Sequence, residues 1–201
     1  KVRWTGNPVR RELLEYSHRH AQEKREDTGG RPFTILIIGG SQGAHRINMA
    51  VIEALGHLKD KERLHFVHQT GAADEQQVNE AYRRYHIQCT VQSFFDNMTE
   101  LYSRADLLIC RAGATTVAEI TALGKAAIFI PFPHAADNHQ MLNAADLANM
   151  RRIVCLQPMF IRLCQPRQFR TRARQLSSLN RVQAFASLRN RSSFRNEPVW
   201  G

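Results

Sequence analysis

The sequence lacks a long hydrophobic run. No apolar stretch in its 201 residues reaches the roughly 18–20 that a membrane-spanning helix needs. It starts at Lys1 rather than Met and shows no secretory signal, which reads as a fragment of a longer product. Cys89, Cys110, Cys155 and Cys164 show no CxxC spacing, which speaks against a zinc or disulfide framework. Cys110 and Cys155 fall in apolar runs and read as buried free thiols of a reducing compartment. Several nucleotide and catalytic signatures are missing too. Residues 39–43 spell GGxxG rather than G-x-G-x-x-G, and the next strand, LHFVHQ, ends without the acid that would hold an NAD ribose. No GK[ST] follows, so a P-loop is excluded. GSQG has the wrong spacing for a nucleophile elbow. His18 and His20 fall on different faces of a helix, and His134 and His139 flank a loop without cysteine, so no metal site is expected. His45 and His68 read as ordinary turn and strand-end residues.

Basic charge is absent from the place where a net charge of +10 suggests it. Of 28 Lys and Arg, 11 lie in residues 151–201, all Arg, beside the single acid Glu197. The first 150 residues therefore hold 17 basic and 17 acidic residues, and that part gives no electrostatic reason to bind nucleic acid. Residues 157–201 contain no Lys and show neither helical nor strand periodicity. They read either as a basic arm for RNA or anionic lipid or as a stretch unrelated to the fold, such as one read in a shifted frame. The abrupt break in composition favours the second.

What is present is alternation. Asn7 and Pro8 suit the cap and first position of a helix reaching about residue 26, closed by the turn cluster TGGRP. Apolar runs at 33–38, 64–68, 90–94, 106–110, 126–130 and 153–156 read as strands. Helical patterns at 44–58, 74–85, 98–104, 114 onward and 140–150 separate them. Continuous apolar strands alternating with helices imply an α/β fold with a parallel sheet covered on both faces. The turns at 39–44, 111–113 and 131–139 then follow strand ends and share one edge, where such sheets bind ligands.

The most informative stretch is residues 106–119, DLLICRAGATTVAE. An apolar strand ends in the small-residue turn Arg111-Ala112-Gly113 and opens a helix. Thr115 and Thr116 read as caps for its free N–H groups. The helix end suits a phosphate, and Glu119, about one turn inside, suits an adjacent sugar hydroxyl. The plain alternative is an ordinary βα turn with a solvated Glu. Asp137, Asn138, His139, Gln140 and Asn143 form a second polar group, with amides suited to hydroxyls and base edges.

An ordered set of segments then carries a resemblance: Thr5-Gly6-Asn7-Pro8-Val9-Arg10, Gly39-Gly40-Ser41-Gln42-Gly43-Ala44, His68-Gln69-Thr70-Gly71, Phe94 to Met98, Ala105-Asp106 through Cys110-Arg111-Ala112-Gly113-Ala114 to Glu119, Pro131-Phe132-Pro133, and His139-Gln140 with Asn143-Ala144. Across roughly residues 2–150 the sequence resembles the C-terminal half of the MurG family. The resemblance implies a Rossmann-like domain, the donor-binding half of a GT-B glycosyltransferase. The reaction would move GlcNAc from UDP-GlcNAc to lipid I, giving lipid II for peptidoglycan, with inversion and without a tightly bound metal or other cofactor. It implies residues 1–10 as an interdomain linker, 11–156 as the UDP-GlcNAc domain and 157–201 as a tail outside the family pattern. Carried over by motif, Arg10, Ser41, the backbone at Phe95, Ala114, Thr115, Thr116, Val117, Ala118, Glu119 and Gln140 would contact UDP-GlcNAc. No catalytic residue is assigned, because the family's proposed base and its lipid I loops belong to the N-terminal half. The expected place is the cytoplasmic face of the bacterial inner membrane, held peripherally, with no nucleic-acid partner. The chain alone is expected not to transfer GlcNAc. The alternatives are a stand-alone donor subunit of a two-chain transferase and a non-catalytic remnant. A UDP-GlcNAc 2-epimerase is disfavoured by the ordered motifs.

Overall fold

The structure is a computed structural model that describes residues 6–20, 31–40, 44–58, 60–148 and 153–155. The Arg-rich stretch 157–201, the turn residues Ser41, Gln42 and Gly43, and the expected continuation of the first helix to residue 26 lie outside the described residues.

Six strands form one sheet: β1 Phe33–Ile38, β2 Leu64–Gln69, β3 Gln88–Gln92, β4 Leu107–Cys110, β5 Ala126–Phe129 and β6 Ile153–Cys155. Their order is β3-β2-β1-β4-β5-β6 and every pairing is parallel. The helices are α1 Arg11–His20, α2 His45–Leu55, α3 Glu75–Arg84, α4 Met98–Arg104, α5 Ala114–Leu123 and α6 His139–Ala148. Among the described residues, no helix is long and apolar enough to cross a membrane.

Strand side chains alternate between faces, so each apolar run feeds two cores. Ile35, Ile37, Phe66, Leu107, Ile109 and Ile128 face α2 and α3, meeting Ile47, Val51, Leu55, Val78 and Tyr82. Leu36, Ile38, Val67, Leu108, Ala127 and Phe129 face the opposite layer, meeting Leu13, Tyr102, Ile120 and Ala144. The helical partners recur every three or four residues, as one buried stripe requires. Each fully buried Leu or Ile contributes roughly 1.5–3 kcal/mol, so both layers hold the sheet firmly. At its amino edge, Arg31 clamps Asp106 through two bonds of 2.8 and 2.5 Å, and Asp106 also accepts the Thr34 N–H at 2.9 Å.

Four local expectations need correction. The first helix starts at Arg11, because the first amide bonds go to the Arg10 carbonyl. Asn7 does not cap it; its amide instead points at the Ala114 carbonyl, 3.5 Å away. Helix α2 stops at Leu55, where Gly56 packs so tightly that a Cβ would stand 3.1 Å from the Tyr85 hydroxyl. Residues 57–58 form short i to i−3 bonds rather than another α-turn. Strand β3 lies two residues earlier than its apolar letters suggest, since it is an edge strand with alternating exposure. Phe94 and Phe95 belong to the loop after it. Helix α6 begins at His139, after a 3-10 turn in which Asp137 and Asn138 adopt φ of 50° and 52°.

Candidate functional site

The strand order reverses between β1 and β4, so their following turns lead to opposite faces. That opens a crevice at the carboxyl edge, the usual ligand site of a doubly wound sheet. The turns after β1, β3, β4 and β5 all reach this edge, because every strand runs the same way.

Helix α5 points its N-terminus into the crevice. Its cap residue is Gly113, at φ −66° and ψ 146°, which offers no side-chain acceptor. Thr115 and Thr116 do not cap: they lie inside the helix, past the capping position, and no side-chain cap bond forms. The first turn therefore keeps its orphan N–H groups and carries no acid that would repel an anion. The backbone angles at Gly113 suit any residue, and a Cβ there would meet nothing nearer than Thr116 Oγ1 at 4.0 Å. Neither strain nor packing requires glycine here. Glycine suits the cap position and also leaves the first amides open to a group from outside the chain.

Glu119 lies one and a half turns behind that end and is 1% exposed, so the solvated-Glu reading is wrong. Arg10 Nε stands 3.0 Å from Glu119 Oε1, but the N–H axis misses it. That oxygen is buried with an ion-pair partner and no hydrogen-bond donor. The Arg10 guanidinium offsets its charge, and the Tyr102 hydroxyl hydrogen-bonds the same carboxylate. The Tyr102 hydroxyl beside it is pushed far up, first by burial and then by Cys110 and Glu119, and stays protonated.

Other contacts fix the rim. Arg111 Nη1 donates to the Ile130 and Pro131 carbonyls at 2.9 and 3.0 Å, and its guanidinium lies over Phe132. Gln140 Oε1 accepts the Phe132 N–H at 2.9 Å, which directs its amide N–H groups elsewhere. Asn143 donates to the Ala112 carbonyl at 3.0 Å and ties α6 to the β4–α5 turn. Gln69 donates to the Gly40 carbonyl at 3.0 Å and accepts the Phe95 N–H at 3.1 Å. Of the residues expected at the site, Arg10 and Ala114 to Glu119 come together, and Gln140 is joined to them through Asn143. Phe95 belongs to the loop after β3, and its N–H is already engaged. Ser41 lies outside the described residues. Gln69, Arg111 and Asn7 were not singled out for a site role, because a residue that orients backbone leaves no spacing signal.

The histidine reading also changes. His68 is fully buried, bonded to Tyr82 at 3.2 Å and to Asn48 at 3.0 Å. Asn48 donates to Asp74 at 2.7 Å, and Asp74 holds His45 Nδ1 at 2.9 Å. Burial pushes His68 down to about 4. Its folded value lies below the ordinary 6.5, so its contribution to stability is complete above about pH 6.5 and is lost as pH falls toward 4. His65 shifts the same way through burial. Asp74 is raised by burial but carried lower overall by His45 and Asn48, so its effect falls at still lower pH. The His68 ring resonances are expected to keep their neutral positions until pH nears 4. Titration near 6.5 would place that ring in water instead.

A cavity of about 550 Å³ opens between α1 and α4, lined by Glu12, Asp96 and Glu100 among others. Three carboxylates make it hostile to a diphosphate, so the α5 crevice is the better anion site.

Comparison with known proteins agrees with this geometry. A transferase from Geobacter metallireducens, described as "UDP-N-acetylglucosamine--N-acetylmuramyl-(pentapeptide) pyrophosphoryl-undecaprenol N-acetylglucosamine transferase", is 52% identical over 144 residues. The match covers 71% of this chain and 39% of that relative, so the chain spans well under half the length of the curated relatives it matches. The crystal structure of Acinetobacter baumannii MurG superposes with a TM-score of 0.66 at 34% identity, covering 78% of this chain and 48% of that one. A UDP-GlcNAc 2-epimerase from Neisseria meningitidis, crystallised with UDP-GlcNAc, superposes at 0.51 with 10% identity over 84% of this chain and 45% of that one, and shows the fold alone. The family model of the glycosyltransferase family 28 C-terminal domain matches residues 34–157, well over half of the 201, and the chain belongs to that family.

Proposed function

We propose that residues 11–156 bind UDP-GlcNAc as the donor half of a transferase that glycosylates lipid I, with residues 1–10 as the linker. The observation that carries this reading is Glu119, a buried carboxylate paired with Arg10 at 3.0 Å behind an uncapped helix end. The diphosphate sits on the N–H groups of Ala114, Thr115 and Thr116, where the helix dipole offsets its charge as UDP departs. A ribose hydroxyl donates to the Glu119 carboxylate. Gln140 offers its amide N–H groups to sugar hydroxyls, and Ser41 and Arg10 complete the diphosphate contacts. Val117 and Ala118 form the helix surface behind them. The relatives named for this reaction support the donor and the acceptor class. Lipid I is a membrane lipid, so work on it places the protein peripherally at the cytoplasmic face of the bacterial inner membrane. A stand-alone donor subunit would share the donor site, but no observation favours it.

Calorimetric titration of the chain tests this directly. UDP-GlcNAc is expected to saturate the site at lower concentration than UDP-glucose, and the chain alone is expected not to turn over lipid I. Failure of UDP-GlcNAc and UDP to bind at millimolar concentration would remove the donor reading. Turnover of lipid I by the chain would remove the division of labour.

A further inference from the structure

Glu119 is held from behind by a residue that no ligand can reach. Tyr102 lies near the end of α4, is 1% exposed, and is the buried side chain of that helix. It belongs to the same buried layer as Cys110, Ile120 and Phe129. Its hydroxyl hydrogen-bonds the Glu119 carboxylate. An ionised carboxylate only accepts, so the phenol is the donor. Arg10 is the carboxylate's other neighbour, 3.0 Å from Oε1, but its side chain is 46% exposed and gives that oxygen no hydrogen bond. A long, half-exposed cation holds its partner loosely. The firmer hold is the phenol's.

Helix α4 is itself pinned to the neighbourhood of Glu119. Lys125, two residues past the end of α5, is 7% exposed. Its Nζ donates to the Ser103 and Ala105 carbonyls at 2.7 and 2.9 Å, on either side of the α4 terminus. Fixing those carbonyls fixes the backbone that carries Tyr102, so the hydroxyl has little freedom and the carboxylate takes its direction from it.

We infer that Tyr102 is a positioning residue: it sets the direction in which Glu119 presents its carboxylate to a ribose hydroxyl. This rests on the reading of Glu119 as the ribose acceptor. Tyr102 touches no ligand, so its hydroxyl affects binding only through Glu119. Without it the carboxylate turns away from the ribose part of the time, and selectivity for the ribose falls. The α5 helix end is untouched, so a bare diphosphate binds as before.

The test uses the full chain with UDP, 2′-deoxy-UDP, 3′-deoxy-UDP and inorganic pyrophosphate as probes. Tyr102→Phe keeps the ring that packs the layer and removes the donor. The preference for UDP over its deoxy counterparts is expected to shrink about tenfold, as loss of one hydrogen bond to a charged group implies, with pyrophosphate within about twofold. Added to Glu119→Ala, Tyr102→Phe is expected to leave every affinity within about twofold, because the two residues act as one unit. In proton spectra of the parent chain the Tyr102 hydroxyl is expected as a slowly exchanging resonance that moves in Glu119→Ala. Equal weakening of all four probes in Tyr102→Phe, an unchanged ribose preference, or a hydroxyl that exchanges as fast as one in water would overturn the inference. A parent chain that binds UDP and its deoxy counterparts equally would instead overturn the ribose reading, and the hydroxyl resonance would still decide whether Tyr102 holds Glu119.

Discussion

A Gly113→Ala chain is expected to fold as well as its parent and to bind UDP about 100-fold more weakly. The two effects have separate causes. A methyl group is compatible with φ −66° and ψ 146°, and its nearest neighbour would be Thr116 Oγ1 at 4.0 Å. Alanine restricts the unfolded chain and stabilises by about 0.4–1 kcal/mol at such a position. The poorer capping behaviour of alanine offsets this by a similar amount. The melting temperature should therefore stay within a few degrees. On the proposed reading, the methyl would stand where the phosphate oxygens reach the first amides. Displacing them costs one or two charge-assisted bonds of about 1.5–3 kcal/mol each, and 1.4 kcal/mol is tenfold. Differential scanning fluorimetry and titration with UDP read the two effects independently. Unchanged affinity would mean that no diphosphate approaches this turn.

Glu119→Ala is expected to weaken UDP about 10- to 100-fold, in line with loss of a hydrogen bond to a charged group. The sharper expectation concerns selectivity. The parent chain should prefer UDP to its 2′-deoxy or 3′-deoxy counterpart, and Glu119→Ala should erase that preference. Glu119→Gln keeps the shape and an acceptor, so it should fall between the two. Affinity for UDP that survives Glu119→Ala would count against a ribose at this carboxylate. Glu119→Ala also removes the partner of Arg10, 3.0 Å away, so the deoxy-nucleotide comparison rather than the affinity loss alone reads the ribose contact.

The strand-and-helix order was legible because buried parallel strands are continuous apolar runs. Phe33–Ile38 and Met98–Arg104 fall where the letters place them. The edge strand β3 was misplaced by two residues because polar residues occupy its exposed face, and the nearby phenylalanines serve a loop. The small-residue turn and the helix start after it at 113–114 were legible from the sequence. The capping of that helix was not, since the cap position falls on Gly113, two and three residues before Thr115 and Thr116. Burial of Glu119 could not be read either, because it depends on Tyr102 and Arg10, distant in sequence. The role of His68 was missed for a related reason. Its partners Asn48, Asp74 and Tyr82 come from three separate elements, and no local spacing announces them.

The segment 6–10 approaches the domain across the mouth of the crevice, with Asn7 beside the Ala114 carbonyl and Arg10 beside Glu119. Thermodynamic linkage makes such a contact reciprocal. On the proposed donor reading, whatever pulls that segment away would change how tightly Glu119 holds a ligand, and a ligand on Glu119 would change by the same factor how tightly the segment is held, with the ion pair as the link.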